Sequence, residues 1–482
     1  MTKHHQHLGL SFRHGAEEER WVDDSSVDHR GRPPLRAATG SWKAAMFIIL
    51  IEFSERLSYF GIATSLMIYL TKVLHQDMKV AAENSNYWMS RLQKMSYFNW
   101  WNCALCSGVL LGVTVVVYVQ ERVGWGAATV LLAAVMGCSL VVYLAGWRTY
   151  RYRVPQGSPL TPLLRVVVAA VRKRRLRLPA DIGDLHEEDG GKKRLLCHTE
   201  QLRCLDKAAI VEYDGEGRRG AWRLATLTQV EETKLVVSMV PIWVATLPFG
   251  ITTAQVSTFF VKQGSVMDRR MGPHFVLPPA SIFALAAVAM IATVALYDKV
   301  LEPCLRRMTG TERGLSVLRR IGIGMALAVV AMAVAAVVER RRLHSAATMS
   351  VFWLVPQFAL MGVADGFALV GLQEYFYDQV PDSMRSLGIG LYLSVIGAGS
   401  FLSGLVIAAV DHVSSHGGRR PGWFGKDLSR SRLDLFYWLL AAVSAVNLGF
   451  YVLVAARYSY KQTVKAKRVS ASDIECATAV AA

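Results

Sequence analysis

Glu52, Glu55 and Arg56 fall within Phe47–Leu70, FIILIEFSERLSYFGIATSLMIYL, an otherwise apolar run long enough to cross a bilayer. In a helix Glu52 shares a face with Glu55 (i, i+3) and with Arg56 (i, i+4), while the other face stays apolar and meets lipid. By insertion scales one ionisable group at mid-membrane costs roughly 2.5 to 3.5 kcal/mol, so three on one stripe need mutual pairing or a wet cavity. Such a cluster inside a membrane helix marks a functional site. A purely structural Glu52–Arg56 pair would leave Glu55 without a charge partner.

Two further acids, Asp365 and Glu374, lie in the apolar run Met349–Tyr377. At about 100° per residue they fall on opposite helix faces, so both cannot line one cavity. Elsewhere the chemistry-bearing residues are scattered. Cys103-Ala-Leu-Cys106 is a CxxC inside an apolar helix with no second pair, which reads as packing rather than metal or redox work. His198 and His274 stand alone in loops and read as surface residues. There is no Ser/His/Asp set, zinc motif or phosphate loop in the sequence, so an enzyme is not expected.

The elements that must position these groups are membrane helices. Of 482 residues 52% are hydrophobic and only 19% charged, and the mean hydropathy is positive, which suits an integral membrane protein. The formal net charge is +17, yet Lys and Arg sit between apolar runs, without the aromatic interleaving of a nucleic-acid surface. They read as membrane topology through the positive-inside rule. Seven cysteines, spread over the whole length, make no disulfide framework.

Five regions follow from the pattern. Residues 1–42 are a polar tail, expected to be disordered. Residues 43–147 hold three apolar runs, Phe47–Leu70, Asn99–Val119 and Trp125–Trp147, with a polar connector His75–Tyr97 after the first. Residues 148–232 are a charged linker in which Thr161–Leu178, TPLLRVVVAAVRKRRLRL, is expected to form a basic helix on the cytoplasmic leaflet. Residues 233–460 hold six more runs: Lys234–Phe260, Pro278–Leu301, Arg319–Val338, Met349–Tyr377, Leu387–Val413 and Leu433–Arg457. Residues 461–482 are a polar tail. Counting nine crossings back from a cytoplasmic linker would put the N-terminal tail outside and invert the first helix.

The run Glu52-Phe-Ser-Glu55-Arg56-Leu-Ser-Tyr59-Phe60-Gly61 resembles the ExxER signature of proton-coupled oligopeptide transporters, and most closely their plant branch, the nitrate/peptide transporter family of the major facilitator superfamily. Glu231-Glu232-Thr-Lys234 with Pro241-Ile-Trp243, and Gln255–Gly264 (QVSTFFVKQG), resemble that family's seventh span; Phe352–Phe358 resembles the start of its tenth. Gly366–Gly388, GFALVGLQEYFYDQVPDSMRSLG, resembles the end of the tenth. The likeness implies an all-α helical bundle and alternating access driven by the proton gradient, with no other cofactor. It implies proton coupling by Glu52, Glu55 and Arg56, and substrate contact by Tyr59, Gln255 and Glu374, with Asp365 packed between helices. Nitrate, di- and tripeptides and plant hormones are within the resembled family's range, in a plasma or vacuolar membrane.

One departure qualifies the resemblance. The family has twelve spans, whereas this chain shows about nine; Leu92–Trp101 resembles the approach to the fifth. Spans two to four, with the fourth-span lysine that would pair with the ExxER carboxylates, are therefore missing. The alternative reading is a truncated, non-transporting membrane variant that associates with full-length homologues.

Overall fold

The computed structural model describes residues 26–35, 39–40, 44, 46–58, 60, 107–153, 158, 160–179, 185–186, 198–211, 222–309, 315–345, 348–381, 384–415, 422–425, 428 and 431–458. Among the described residues the regular elements are helices, apart from one two-residue ladder and three isolated bridges. Helices α1 (residues 46–58) and α2 (residues 107–122, with a π-helical turn at Gly112–Val116) precede α3 (Trp125–Gly146). The charged linker contributes α4 (Leu160–Arg172). The second half is α5 (Leu227–Ser265), α6 (Pro279–Leu305), α7 (Val317–His344), α8 (Val351–Gln379), α9 (Arg385–Ser414) and α10 (Leu433–Ala456). Among the described residues, 7 helices are long and apolar enough to cross a membrane: these six, and α3 with its extension to Thr149. The first two expected runs are described only where they form α1 and α2, so the count of nine is not reached by complete described spans.

Local chemistry accounts for the helix limits in the second half. The Thr226 hydroxyl accepts the Gln229 N–H at 3.3 Å and starts α5, and Ser316 does the same for Arg319 at 3.4 Å at the start of α7. Helix α5 continues through Pro241 and Pro248. In the turn that Pro248 loosens, Asn447 of α10 donates to the Ala245 carbonyl at 2.7 Å, replacing backbone pairing. A side chain on Gly399 would meet the Gly250 backbone at 2.5 Å, so these two glycines let α5 and α9 touch backbone to backbone. Around them Phe259, Phe260, Phe358, Phe376, Phe436 and Tyr437 are fully buried. Phe260 meets Phe358 and Tyr437 edge-on at 5.4 and 5.5 Å, the geometry aromatic quadrupoles favour.

The first half is thinner and its direction is clear. Phe47 at the start of α1 meets Tyr150 just beyond α3, and Leu57 near its end clusters with Val116, Ala128 and Leu132. Helix α1 is therefore antiparallel to α3. Gly108 lies against Phe53, where an added Cβ would come within 2.5 Å of the carbonyl oxygen; Leu57, further along α1, meets Val116, further along α2, so these two helices run the same way. Before α1, the Gly40 N–H donates to the Thr149 carbonyl at 2.8 Å, Arg151 donates to the Thr39 carbonyl at 2.8 Å, and Ser26–Val27 pairs antiparallel with Tyr152–Arg153. Two expectations are corrected here. Part of the polar tail is tied into a ladder, and it lies at the linker end of α3, so α1 is not inverted. A count of crossings missed this because hydropathy does not tell whether two neighbouring helices run parallel or antiparallel.

In the linker, α4 packs Val166 and Ala169, both fully buried, against Ala208, Ala209 and Val230. It ends at Arg172, so the basic helix expected to reach Leu178 is shorter, and the Lys173 side chain turns inward to donate to the Ile210 carbonyl at 2.6 Å. Leu160, Leu164, Val167 and Val171 form an exposed apolar stripe on the opposite face.

Candidate functional site

On α1 one guanidinium serves two carboxylates. Arg56 Nε lies 3.0 Å from Glu52 Oε1 and 2.8 Å from Glu55 Oε2. The Glu52 contact is a hydrogen bond. The Glu55 contact is not aligned as one, and Glu55 Oε2 has no hydrogen-bond partner among the described residues. The two acids also differ in access: the Glu55 side chain is 31% exposed, that of Glu52 11%. Gly108 lets α2 approach the root of this turn, where its Cβ would lie 3.2 Å from Arg56 Cβ. Tyr59 lies outside the described residues, as does the Cys103–Cys106 motif.

The two acids of α8 have different surroundings. Thr253 of α5 donates to Asp365 Oδ1 at 3.3 Å, a hydrogen bond between helices. Glu374 lies on the opposite face of α8 as expected; its side chain is 38% exposed, with Arg320 NH1 of α7 3.6 Å away. Arg320 is nearly buried; it also donates to the Gly366 carbonyl at 3.3 Å and stacks over the Tyr297 ring at 4.0 Å. Asp365 thus meets a neighbouring helix, while Glu374 keeps an accessible carboxylate beside a buried arginine. Periodicity separated the two faces but did not say which neighbour each would meet, and Arg320 carried no signal of its own.

Gln255 is fully buried, and its amide donates to the Ile251 carbonyl at 2.8 Å and to Ser403 Oγ of α9 at 2.9 Å. It holds α5 to α9 one turn beyond the Gly250–Gly399 contact. Replacing Gln255 by Met is expected to lower stability by roughly 1 to 2 kcal/mol, the size of a lost buried hydrogen bond, read as a shift in Tm. The apparent KM for a transported solute should stay unchanged. A raised KM with an unchanged Tm would place it in the site.

A third group, unforeseen in the sequence, lies where the linker meets α5. Lys234 Nζ sits 2.6 Å from Asp206 Oδ1 and 2.8 Å from Glu231 Oε1, and donates to the Thr199 carbonyl at 2.7 Å. Thr199 Oγ1 donates to Glu231 Oε2 at 2.8 Å, and His198 Nε2 is 3.3 Å from Asp206 Oδ2. His198 is therefore neither solitary nor a surface residue, whereas His274 is exposed as expected. His198, Asp206 and Glu231 offer atoms within 4.8 Å of one another, a spacing suited to a metal ion. The ammonium of Lys234 already occupies the cation position between the two carboxylates, so the group is an internal ion-pair lock. The i, i+3 spacing of Glu231 and Lys234 was its one visible trace.

Comparisons with known proteins agree with this architecture. A profile described as the POT family matches residues 81–424. Protein NRT1/ PTR FAMILY 5.7 of Arabidopsis thaliana is 44% identical, with 96% of each chain covered. Protein NRT1/ PTR FAMILY 5.6 of the same plant is also 44% identical, covering 94% of this chain and 97% of the relative. The first alignment runs over 579 positions, longer than this chain's 482 residues, so the relative carries residues without a counterpart here. Among solved structures, an auto-inhibited POT family peptide transporter superimposes with a TM-score of 0.58 at 16% identity, covering 89% of this chain and 99% of that one. The POT family transporter PepTSo gives 0.62 at 15% identity, covering 87% and 100%. At such identities the structural likeness speaks for the fold alone.

Proposed function

This chain belongs to the POT family of membrane transporters, in the company of plant NRT1/PTR proteins, and on that premise we propose that it is a proton-coupled symporter of small solutes. The observation that carries the reading is Arg56 shared between Glu52 and Glu55 inside a membrane helix. A proton taken by one carboxylate removes its hold on the guanidinium, and in a low-dielectric interior that change is large enough to bias two arrangements of the bundles. Residues 43–147 and 233–460 are the two bundles, joined by the cytoplasmic linker 148–232, and the cavity between them opens to each side in turn. The proton gradient supplies the energy and no cofactor takes part. The bilayer and a small-molecule or anion substrate are its partners, and nucleic acid is not. Nitrate, short peptides and plant hormones are the substrate classes to screen, in a plasma or vacuolar membrane.

Glu374 is the second-half residue on which the test turns. Glu374→Gln is expected to lower substrate-dependent uptake at least about tenfold, the effect of ~1.4 kcal/mol lost at the site. Asp365→Asn, which weakens the contact with Thr253, should mainly lower Tm. Both are measured as uptake into proteoliposomes beside a melting curve. Full uptake in Glu374→Gln with impaired uptake in a well-folded Asp365→Asn would move the site to Asp365.

A second reading has its own support. Helices α1 and α2 run in the same direction, and between Leu70 and Asn99 the sequence holds only the polar stretch 71–98, with no apolar run by which to return across a membrane. The surplus length of the alignment fits the same view. On this reading the chain is a non-transporting variant lacking spans two to four and associates with full-length homologues. Absence of uptake for every class screened, together with co-purification of a tagged full-length relative, would favour it.

A further inference from the structure

Outside the transport site, a groove of about 680 Å³ lies between α7 and α10. Its walls are Leu318, Gly322, Ile323, Leu448, Tyr451 and Val452, apolar but for the Tyr451 hydroxyl, which is spent on the Leu318 carbonyl at 2.8 Å. Gly322 keeps it open, since a Cβ there would lie 3.4 Å from the Tyr451 ring. Arg319 lines the mouth and Arg457 follows Ala456 at its rim. Both arginines are exposed, and among the described residues neither has an ion pair. The mouth lies at the linker end of the helices, because α5 starts at the linker and α7 runs parallel to it: Gln263, near the end of α5, donates to Glu339, near the end of α7, at 2.8 Å. The dense basic charge of that linker assigns this end to the inner leaflet, where anionic lipids are concentrated. From Arg319 to Ala326 the groove runs about 10 Å along α7 at 1.5 Å per residue, into the hydrocarbon region.

We propose that this groove holds an anionic glycerophospholipid, with one acyl chain against Gly322 and Tyr451 and the phosphate between Arg319 and Arg457. An apolar slot that opens beside two unpaired cations in the headgroup layer matches both parts of such a molecule. A zwitterionic lipid would fill the slot but gain less from the arginines, and free phosphate would gain the arginines but leave the slot empty. The proposal is independent of which solute is carried.

The test is native mass spectrometry of the full chain, delipidated in detergent and titrated with dioleoylphosphatidylglycerol or dioleoylphosphatidylcholine. One phosphatidylglycerol should be retained per chain with at least about tenfold preference over phosphatidylcholine, the scale expected of two basic residues near a headgroup. Arg319→Gln with Arg457→Gln should erase the preference while leaving weak retention of both lipids. Gly322→Leu, which fills the slot at an ordinary contact distance, should lower retention of both. Inorganic phosphate at equal concentration should displace neither. Equal retention of the two lipids by the unaltered chain, a preference that survives in the double variant, or displacement by phosphate would each overturn the assignment. Melting curves confirm that each variant is folded before it is scored.

Discussion

Glu55→Gln is expected to reduce proton-driven uptake to background while leaving membrane insertion and melting temperature near those of the unaltered chain. Glu55 is the more accessible acid of the pair, its side chain 31% exposed against 11% for Glu52, and its oxygen nearest Arg56 lacks a hydrogen bond. A proton arriving through the cavity meets it first. Two unit charges 4 Å apart interact by about 4 kcal/mol at an effective dielectric of 20, whereas about 5.5 kcal/mol is needed to swing a two-state equilibrium from 1:99 to 99:1. One proton on Glu55 is thus enough to move the balance strongly but not to lock it, as a cycling carrier requires. Exchange of solute down its own gradient should survive, because it needs no proton to move. Glu52→Gln should behave differently, since it removes the hydrogen-bonded partner of a buried arginine and so lowers stability first. Uptake of nitrate and of a dipeptide into proteoliposomes, with and without an inward pH gradient, separates the cases. A Glu55→Gln protein that still concentrates solute in a pH-dependent way would remove Glu55 from the coupling.

That residue was legible in the sequence because its spacing to Arg56 lies within one helical turn. The apolar runs were legible for the same local reason. Lys234–Phe260 was expected as a span and Leu227–Ser265 is observed; the extra turns come from the Thr226 cap and from burial of Glu231 and Lys234 by the linker. What could not be read was long-range. A polar residue in an apolar helix looks the same whether its side chain stays accessible, as that of Glu374 does, or bonds to a neighbouring helix, as those of Gln255 and Asp365 do. Arg320 and Asp206 lie far along the chain from their partners, so neither had a visible role until folding joined them. The direction of α1 was misjudged for a related reason: parity counting needs every crossing, and a pair of parallel neighbours cannot be recognised from hydropathy.

Lys234→Met is expected to be the most destabilising single change outside the membrane interior. It would leave Asp206 and Glu231, each 2% exposed, facing one another with no cation between them. Breaking a buried ion pair from one side costs about 3 to 5 kcal/mol, because the surviving charges are neither solvated nor paired. At 2 to 4 °C per kcal/mol for a mid-sized domain, Tm should fall on the order of 10 °C. The loss should appear first in the linker, since Ala208 and Ala209, beside Asp206, bury the inner face of α4, and protease should then cut between residues 179 and 227. Neutralising the whole group, Lys234→Met with Asp206→Asn and Glu231→Gln, should recover much of the loss, because no uncompensated charge remains. A chelator separates this lock from a metal centre built on His198, Asp206 and Glu231. With the ammonium in the cation position, EDTA should leave the Tm of the unaltered chain where it was. A Lys234→Met protein that melts like the unaltered chain would sink the lock, and an unaltered chain that loses stability in EDTA would show that a metal ion, not Lys234, holds these carboxylates together.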